Sequence, residues 1–384
     1  MDTLAKTRDM LGDLIAFPTV SSDSNLDIIA YLAQRLEEAG ARIEILPDET
    51  GEKANLFGTL GPDTDGGIVL SGHTDVVPVT DQVWASDPFT MEERDARLYG
   101  RGSCDMKGFV AACTVLAPYF ASRVKDQPVH FAYTYDEETG CFGAEALVGR
   151  LANLGVAPSL AIVGEPTSMR VIDGHKGCYE YTTHFSGLAG HGSAPDLGVN
   201  AVEFASQFVG KIISLKAELY DRTPADSEFQ PPYTTLNTGS LIGGVAHNVI
   251  PDRATVEWDM RPVQPSDAAY VKDALKRLCE DELLPAMRAI DPAAAITTEV
   301  LAEVEGLMPM PHNAARDLVM DLTGANGTDL VAFGTEAGLF QQAGMAVAIC
   351  GPGSIEQAHK ADEYLEIEQL SACLGMLERL GERL

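Results

Sequence analysis

The sequence predicts an α/β fold: a mixed, mostly parallel sheet flanked by helices, with a smaller α+β domain inserted into it. Three features predict it. Helix-spaced and strand-like apolar segments alternate through the first half, two-residue alternation takes over after Gly177, and the strand–helix rhythm resumes after 309–311. The predicted division is a first segment of the larger domain over 1–178, the inserted domain over 179–307 and a second segment of the larger domain over 308–384. A length of 384 residues suits two or three domains. With 45% hydrophobic and 22% charged residues, the composition is globular and rich enough in apolar side chains for a sizeable core.

Each element has its own signal. Leu4, Met10, Leu11, Leu14 and Ile15 recur at helical steps and predict an opening amphipathic helix. A second helix over 27–39 is closed by Gly40, a C-cap residue. Short apolar runs bounded by Gly, Pro or polar residues predict strands over 43–46, 55–60, 67–71, 130–135 and 160–163. Helical patterns over 107–120 and 144–154 lie between the later ones. The inserted domain reads as a half-exposed strand over 179–185, a helix over 200–219, strands over 234–241 and 254–261, a long helix over 267–284 and a strand over 296–300. The closing segment adds a strand over 346–350 and a helix over 367–384.

With 27 basic and 57 acidic residues, the net charge is −30. Such a surplus repels phosphate backbones and anionic headgroups, which excludes nucleic-acid and membrane-surface roles and otherwise serves solubility. The seven cysteines (104, 113, 141, 178, 279, 350 and 373) are scattered and never form a CxxC pair. They read as reduced thiols in a reducing compartment. The opening MDTLAKTRDMLGDLIAF mixes charge and apolar residues, unlike a signal peptide. No window approaches the roughly 18 apolar residues that span a bilayer. A cytoplasmic protein is the expectation.

Chemistry-bearing residues gather at strand ends. IVLSGHTD ends in His73 and Asp75, FAYTYDEE in Glu137 and Glu138, LAIVGE in Glu165, and the AVAIC strand is followed by His359. Asp105 joins them from the GRGSCDMKG turn that leads into a helix. Ligands of open α/β sheets collect outside the carboxyl ends of the strands. Imidazole and carboxylate without thiolate suit zinc, cobalt or manganese in a hydrolytic site. Two metals about 3.5–4 Å apart can share a bridging carboxylate and activate water. One division gives His73 and Glu165 to the first metal, Glu138 and His359 to the second, and Asp105 to both. Neighbours on an extended chain point to opposite sides, so Glu137 is left over as a general base. Asp75 is placed to orient the His73 imidazole.

Taken singly, each residue has a plainer reading. A strand-end His can be structural, an acidic doublet can be solvated surface, and Asp105 can cap the next helix. Cys104 is a nucleophile only if the neighbouring Asp105 does not raise its thiol pKa. Five elements converging on one edge make coincidence a poor account.

SGHTDVVP, GRGSCDMKG, DEETG and GEPT, in this order, resemble the motifs of the co-catalytic zinc hydrolases of the aminoacylase and carboxypeptidase G superfamily. The resemblance covers essentially the whole chain. It implies a zinc-exopeptidase-like fold with an inserted lid and dimerisation domain. It also implies two divalent ions, Zn with Co or Mn as alternatives, held by His73, Asp105, Glu138, Glu165 and His359, with Glu137 as the base and a cis peptide at Asp105–Met106. GLAGHGSAPDLGVNA is similar to a lid motif whose His reaches the substrate carbonyl, often from the partner subunit, which makes His191 the oxyanion donor. HNVIPDRATVEWDMRP is similar to a segment whose Asn and Arg bind the substrate carboxylate, here Asn248 and Arg261. A surface salt bridge is the alternative role for that arginine. GTEAGLF is similar to a substrate-side loop and implicates Gly334 and Thr335.

The implied partners are a small N-acylated amino acid and a second copy of the chain, joined through the inserted domain. Within the superfamily, IVGEPTSMRVIDGHKG followed by the lid motif looks most like the branch that removes acetate from N-acetyl-L-ornithine on the way to arginine. Desuccinylation of succinyl-diaminopimelate and aminoacylase chemistry use the same catalytic residues and remain alternatives. A catalytically silent metal-dependent binding protein is the non-enzyme alternative, but it has no need of an unligated Glu137.

Overall fold

The computed structural model describes residues 2–384. The chain divides into two compact units. One comprises the residues up to Gly174 with Pro309–Leu330 and Thr335–Leu384; the other comprises His175–Met308 with Val331–Gly334.

The first unit is built on an eight-stranded sheet. Its order is Arg42–Pro47, Ala54–Leu60, Val129–Thr134, Ile68–His73, Leu160–Pro166, Ala346–Gly351, Ile172–His175 and Asp329–Val331. The four central strands are parallel neighbours, while Arg42–Pro47, Ala54–Leu60 and Ile172–His175 pair antiparallel on the flanks. The central strands read as unbroken apolar runs because both faces are covered. The helix Gly108–Ala121 is buried along most of its length and packs against Thr3–Ile15, Ile367–Gly381 and the strand Ile68–His73. The two terminal helices bury single apolar stripes, Leu11, Leu14 and Ile15 in one and Leu370, Cys373, Leu374 and Leu377 in the other.

The second unit is a four-stranded antiparallel sheet in the order Thr235–Gly243, Arg253–Arg261, Cys178–Ser186 and Ala295–Val304. Its alternating sequence appears as alternating burial along Cys178–Ser186. Tyr179, Tyr181, Phe185 and Trp258 pack with the helices Ala201–Asp221 and Pro265–Arg277, and the Tyr181 and Trp258 rings stack at 4.3 Å.

Some boundaries differ from the sequence reading. The helix expected over 267–284 is regular only over Pro265–Arg277, then widens into a π turn over Leu278–Leu283 before Leu284–Arg288. The second unit starts at His175, ahead of 179, and reclaims Val331–Gly334 from the closing segment. There Gly334 lies so close that a Cβ on it would sit 2.9 Å from the Cys178 Cβ. Four residues carry no periodicity that would announce such a return. The structure adds the helices Ala314–Thr323 and Ala337–Gln342 and the short strands Ile172–His175 and Asp329–Val331 to the elements the sequence predicts.

Candidate metal centre

Parallel pairing brings four carboxyl ends to one edge. His73 is the last residue of its strand, Glu165 the penultimate residue of the next, Glu137 and Glu138 follow Thr134, and His359 lies on the loop after Gly351. Asp105 arrives by another route, in the turn before Gly108–Ala121, and its peptide bond to Met106 is cis. Close packing sets these pieces together. A Cβ on Gly164 would lie 2.0 Å from the Phe109 ring, so only glycine lets that helix and the strand carrying Glu165 meet.

The six side chains converge. His73 Nδ1 donates to the Asp75 backbone carbonyl at 2.9 Å, which leaves Nε2 facing Asp105 Oδ1 at 3.1 Å. His359 Nε2 lies 2.9 Å from Glu138 and 3.5 Å from the second Asp105 oxygen. Asp105 therefore sits between the two imidazoles. Ligand atoms of His73, Glu137 and Glu165 fall within 4.8 Å of one another, as do those of His73, Asp105 and Glu138. Glu165 Oε1 is buried without a hydrogen-bond partner among the described residues, so it presents a free lone pair to the cluster. A donor set of two imidazoles and several carboxylates, with one orphaned oxygen, fits divalent cations of the zinc, cobalt and manganese type.

Crowded charges shift several of these groups. Burial, followed by the carboxylates of Glu138, Asp105 and Asp75, pushes Glu137 well above the usual range, while His73 opposes the shift. Burial and the neighbouring acids also raise Glu165. Burial disfavours the His73 cation, but Asp105, Glu137 and Glu165 outweigh it and raise that imidazole. Asp105 and Glu138 push His359 up to about 10. The Cys104 thiol is pushed well up by burial, Glu363 and Asp105, the opposite of what a thiol nucleophile needs.

The expected role of Asp75 is altered. Its carboxylate lies 3.6 Å from His73 Nδ1, and the hydrogen bond to that ring comes from the Asp75 backbone carbonyl instead. The carboxylate accepts from Ser21 Oγ at 2.7 Å and from the backbone N–H groups of Glu137 and Glu138 at 3.2 and 3.3 Å. Asp75 thus holds the acidic doublet in place. Sequence spacing favoured His73 because a loop partner is invisible in one dimension.

In the second unit, two distant motifs meet: His191 pairs with Val249, and the Asn248 carbonyl accepts from the Gly192 N–H at 2.8 Å. Arg261 is engaged by Glu180 at 3.0 Å and Asp259 at 3.3 Å, as the salt-bridge alternative expects. Gly334 abuts Cys178 in this unit, whereas Thr335 is buried in the first, where its Oγ1 accepts the Ala337 N–H at the start of a helix.

Four buried charges near these strands and turns, Glu336, Glu363, Arg101 and Lys107, are not among the residues the sequence singles out. Glu336 accepts from Ser71 at 2.5 Å and Thr134 at 2.8 Å, tying together the strands that carry His73 and the acidic doublet. Glu363 pairs with Arg101 at 2.8 Å, and Lys107 Nζ donates to the Phe17 carbonyl at 2.7 Å. A charged residue inside an otherwise apolar run, as in GTEAGLF, was the available signal.

A mixed sheet delivering His, Asp and Glu side chains to its carboxyl edge, with an antiparallel unit inserted before the last central strand, defines a class of hydrolase-type metal centre. Residues 69–383 match the peptidase family M20/M25/M40, and the chain belongs to that family. It is 37% identical over 361 residues to acetylornithine deacetylase of Shigella sonnei, covering 92% of this chain and 91% of that protein. Among solved structures, an M20 family metallo-carboxypeptidase from Sulfolobus solfataricus superposes with a TM-score of 0.76 at 16% identity, over 100% of this chain and 99% of the other. A dinuclear metal-binding M20 peptidase of Bacillus subtilis gives 0.65 at 16% identity, over 99% and 97%. At those identities the structures establish the shared fold.

Proposed function

We propose that this chain is a metal-dependent amidohydrolase that removes acetate from N-acetyl-L-ornithine to give L-ornithine, in arginine biosynthesis. The observation that carries the chemistry is the convergence of His73, Asp105, Glu138, Glu165 and His359 around one further half-buried carboxylate, Glu137. The substrate rests on the 37% identity to acetylornithine deacetylase over nearly the full length of both chains. Divalent ions, Zn with Co or Mn as alternatives, would be held by those five residues and would supply Lewis acidity and water of lowered pKa.

The chain's own groups do the rest. Glu137 takes the proton of the attacking water and passes it to the departing amine. Asp75 holds the Glu137–Glu138 backbone so that the base stays aimed. His191 donates to the oxyanion of the tetrahedral intermediate. Asn248 and Arg261 receive the substrate carboxylate, with Gly334 and Thr335 on the substrate-side loop. Arg261 must then exchange or share its contacts with Glu180 and Asp259. Cytoplasmic location fits the absence, among the described residues, of any helix long and apolar enough to cross a membrane. The inserted unit is assigned dimerisation, and a monomer in analytical ultracentrifugation at assay concentration would remove that part.

The deciding assay compares acetate release from N-acetyl-L-ornithine with turnover of succinyl-diaminopimelate and other N-acetyl-amino acids, before and after chelation. The expected result is highest kcat/KM on acetylornithine, loss of activity with chelator and recovery on adding Zn or Co. Faster turnover of the succinylated substrate sinks the substrate assignment; chelator-resistant activity sinks the metal reading.

A further inference from the structure

His359 is the proposed ligand that the fold holds least. Its side chain is 53% exposed. Its backbone φ is 63°, in the left-handed region that non-glycine residues enter at a cost. Burial does not hold such a residue, so something else must. The Gln82 amide Nε2 donates to the His359 backbone carbonyl at 2.9 Å. Its Oε1 accepts from Arg101 Nη2 at 2.7 Å and from Trp84 Nε1 at 3.2 Å, so the amide has one sensible orientation. Arg101 in turn donates through Nη1 to the Lys360 carbonyl at 3.3 Å and to Glu363 at 2.8 Å, and its guanidinium lies 5.0 Å from the Trp84 ring centroid. Glu363 accepts the backbone N–H groups of Gly102, Cys104 and Asp105 at 2.9–3.1 Å. One hydrogen-bonded chain therefore runs from the backbone of Asp105 to the backbone of His359, and Gln82 is its final link.

We infer that Gln82 is a positioning residue: by gripping the His359 carbonyl it holds the loop conformation that aims the imidazole at Glu138 and Asp105, and so sets the affinity of the metal position these three share. The inference rests on His359 being a ligand. Gln82 is not one of the five proposed ligands: its direct link to them is the His359 carbonyl, and its contact with Arg101 reaches the Asp105 backbone only through Glu363.

The test is titration of the chelated full-length protein with Co2+, followed by calorimetry and visible absorption, in wild type, Gln82→Ala, Gln82→Glu and His359→Ala. In Gln82→Ala, one of the two binding equivalents should weaken by about 10–100-fold, the usual effect of removing a residue that orients a ligand, while the other equivalent and the Tm stay near wild type. Gln82→Glu keeps an acceptor for Arg101 and Trp84 but loses the N–H donor, so it should be impaired to at least the same degree. Unchanged affinities in Gln82→Ala, with or without a lower Tm, overturn the inference if His359→Ala still loses one equivalent. Wild-type binding by Gln82→Glu overturns it as well. Two intact equivalents in His359→Ala overturn the ligand reading itself, which is a different failure.

Discussion

At Glu137, burial and the neighbouring carboxylates push the acid constant up while His73 pulls it down. That balance suits the role proposed for it, taking a proton and later returning it. Replacing Glu137 with Gln keeps its size and removes the proton shuttle. Turnover should fall by about 10²–10⁴ with metal content unchanged, read from initial rates and metal analysis. A rate within about tenfold of wild type would remove Glu137 from the mechanism. The sequence leads one to expect different roles for Glu137 and Glu138, because adjacent residues on an extended chain face opposite ways. In the structure Glu138 lies against His359 while Glu137 clusters with His73 and Glu165. The work of the Asp75 carboxylate was not legible. Its partners, Ser21 and the backbone of the acidic doublet, are chosen by where two loops land.

At the scale of elements, length decides what can be read. Thr3–Ile15 and Ala201–Asp221 span enough turns for an apolar stripe to declare itself, whereas Ala337–Gln342 and Asp329–Val331 are too short for any period to emerge. Ala314–Thr323 is different: its signals were present and local. Asn313 Oδ1 accepts from the N–H groups of Ala315 and Arg316, and left-handed Gly324 closes the far end. Asn313 also donates through Nδ2 to the Val347 carbonyl at 2.8 Å, fastening the helix to the strand that leads toward His359. Asn313→Ala should therefore lose the cap and the strand contact together, at a cost of about 1–3 kcal/mol by urea denaturation. Asn313→Asp keeps the cap and should recover part of the loss. Equal stability of all three proteins would refute the double role.

Across the whole molecule, the strand–helix rhythm of the sequence stops and restarts, but nothing in it announces the return of Val331–Gly334 to the second unit. Two buried histidines give the molecule a pH dependence. Burial pushes His130 in the first unit and His175 in the second down to about 4. An unfolded histidine titrates near 6.5, so between those values the unfolded chain binds protons that the native chain refuses. The contribution of these two residues is full above about pH 6.5 and is lost as pH falls toward 4, by on the order of 3 kcal/mol per histidine at the limit. Replacing His130, which stacks on Phe57, with Phe should flatten the fall in urea midpoint between pH 7 and 5. An unaltered slope would acquit His130. The order of the central strands has a further consequence, for synthesis on the ribosome. His73, Asp105, Glu138 and Glu165 have all been translated before the inserted unit begins at His175, but the strand Ala346–Gly351 and His359 emerge only after it. Until then, the edge of Leu160–Pro166 that will pair with Ala346–Gly351 lacks its partner. A nascent chain can thus gather most of the proposed metal-holding side chains early, yet it completes the proposed set only when nearly all of it has been made.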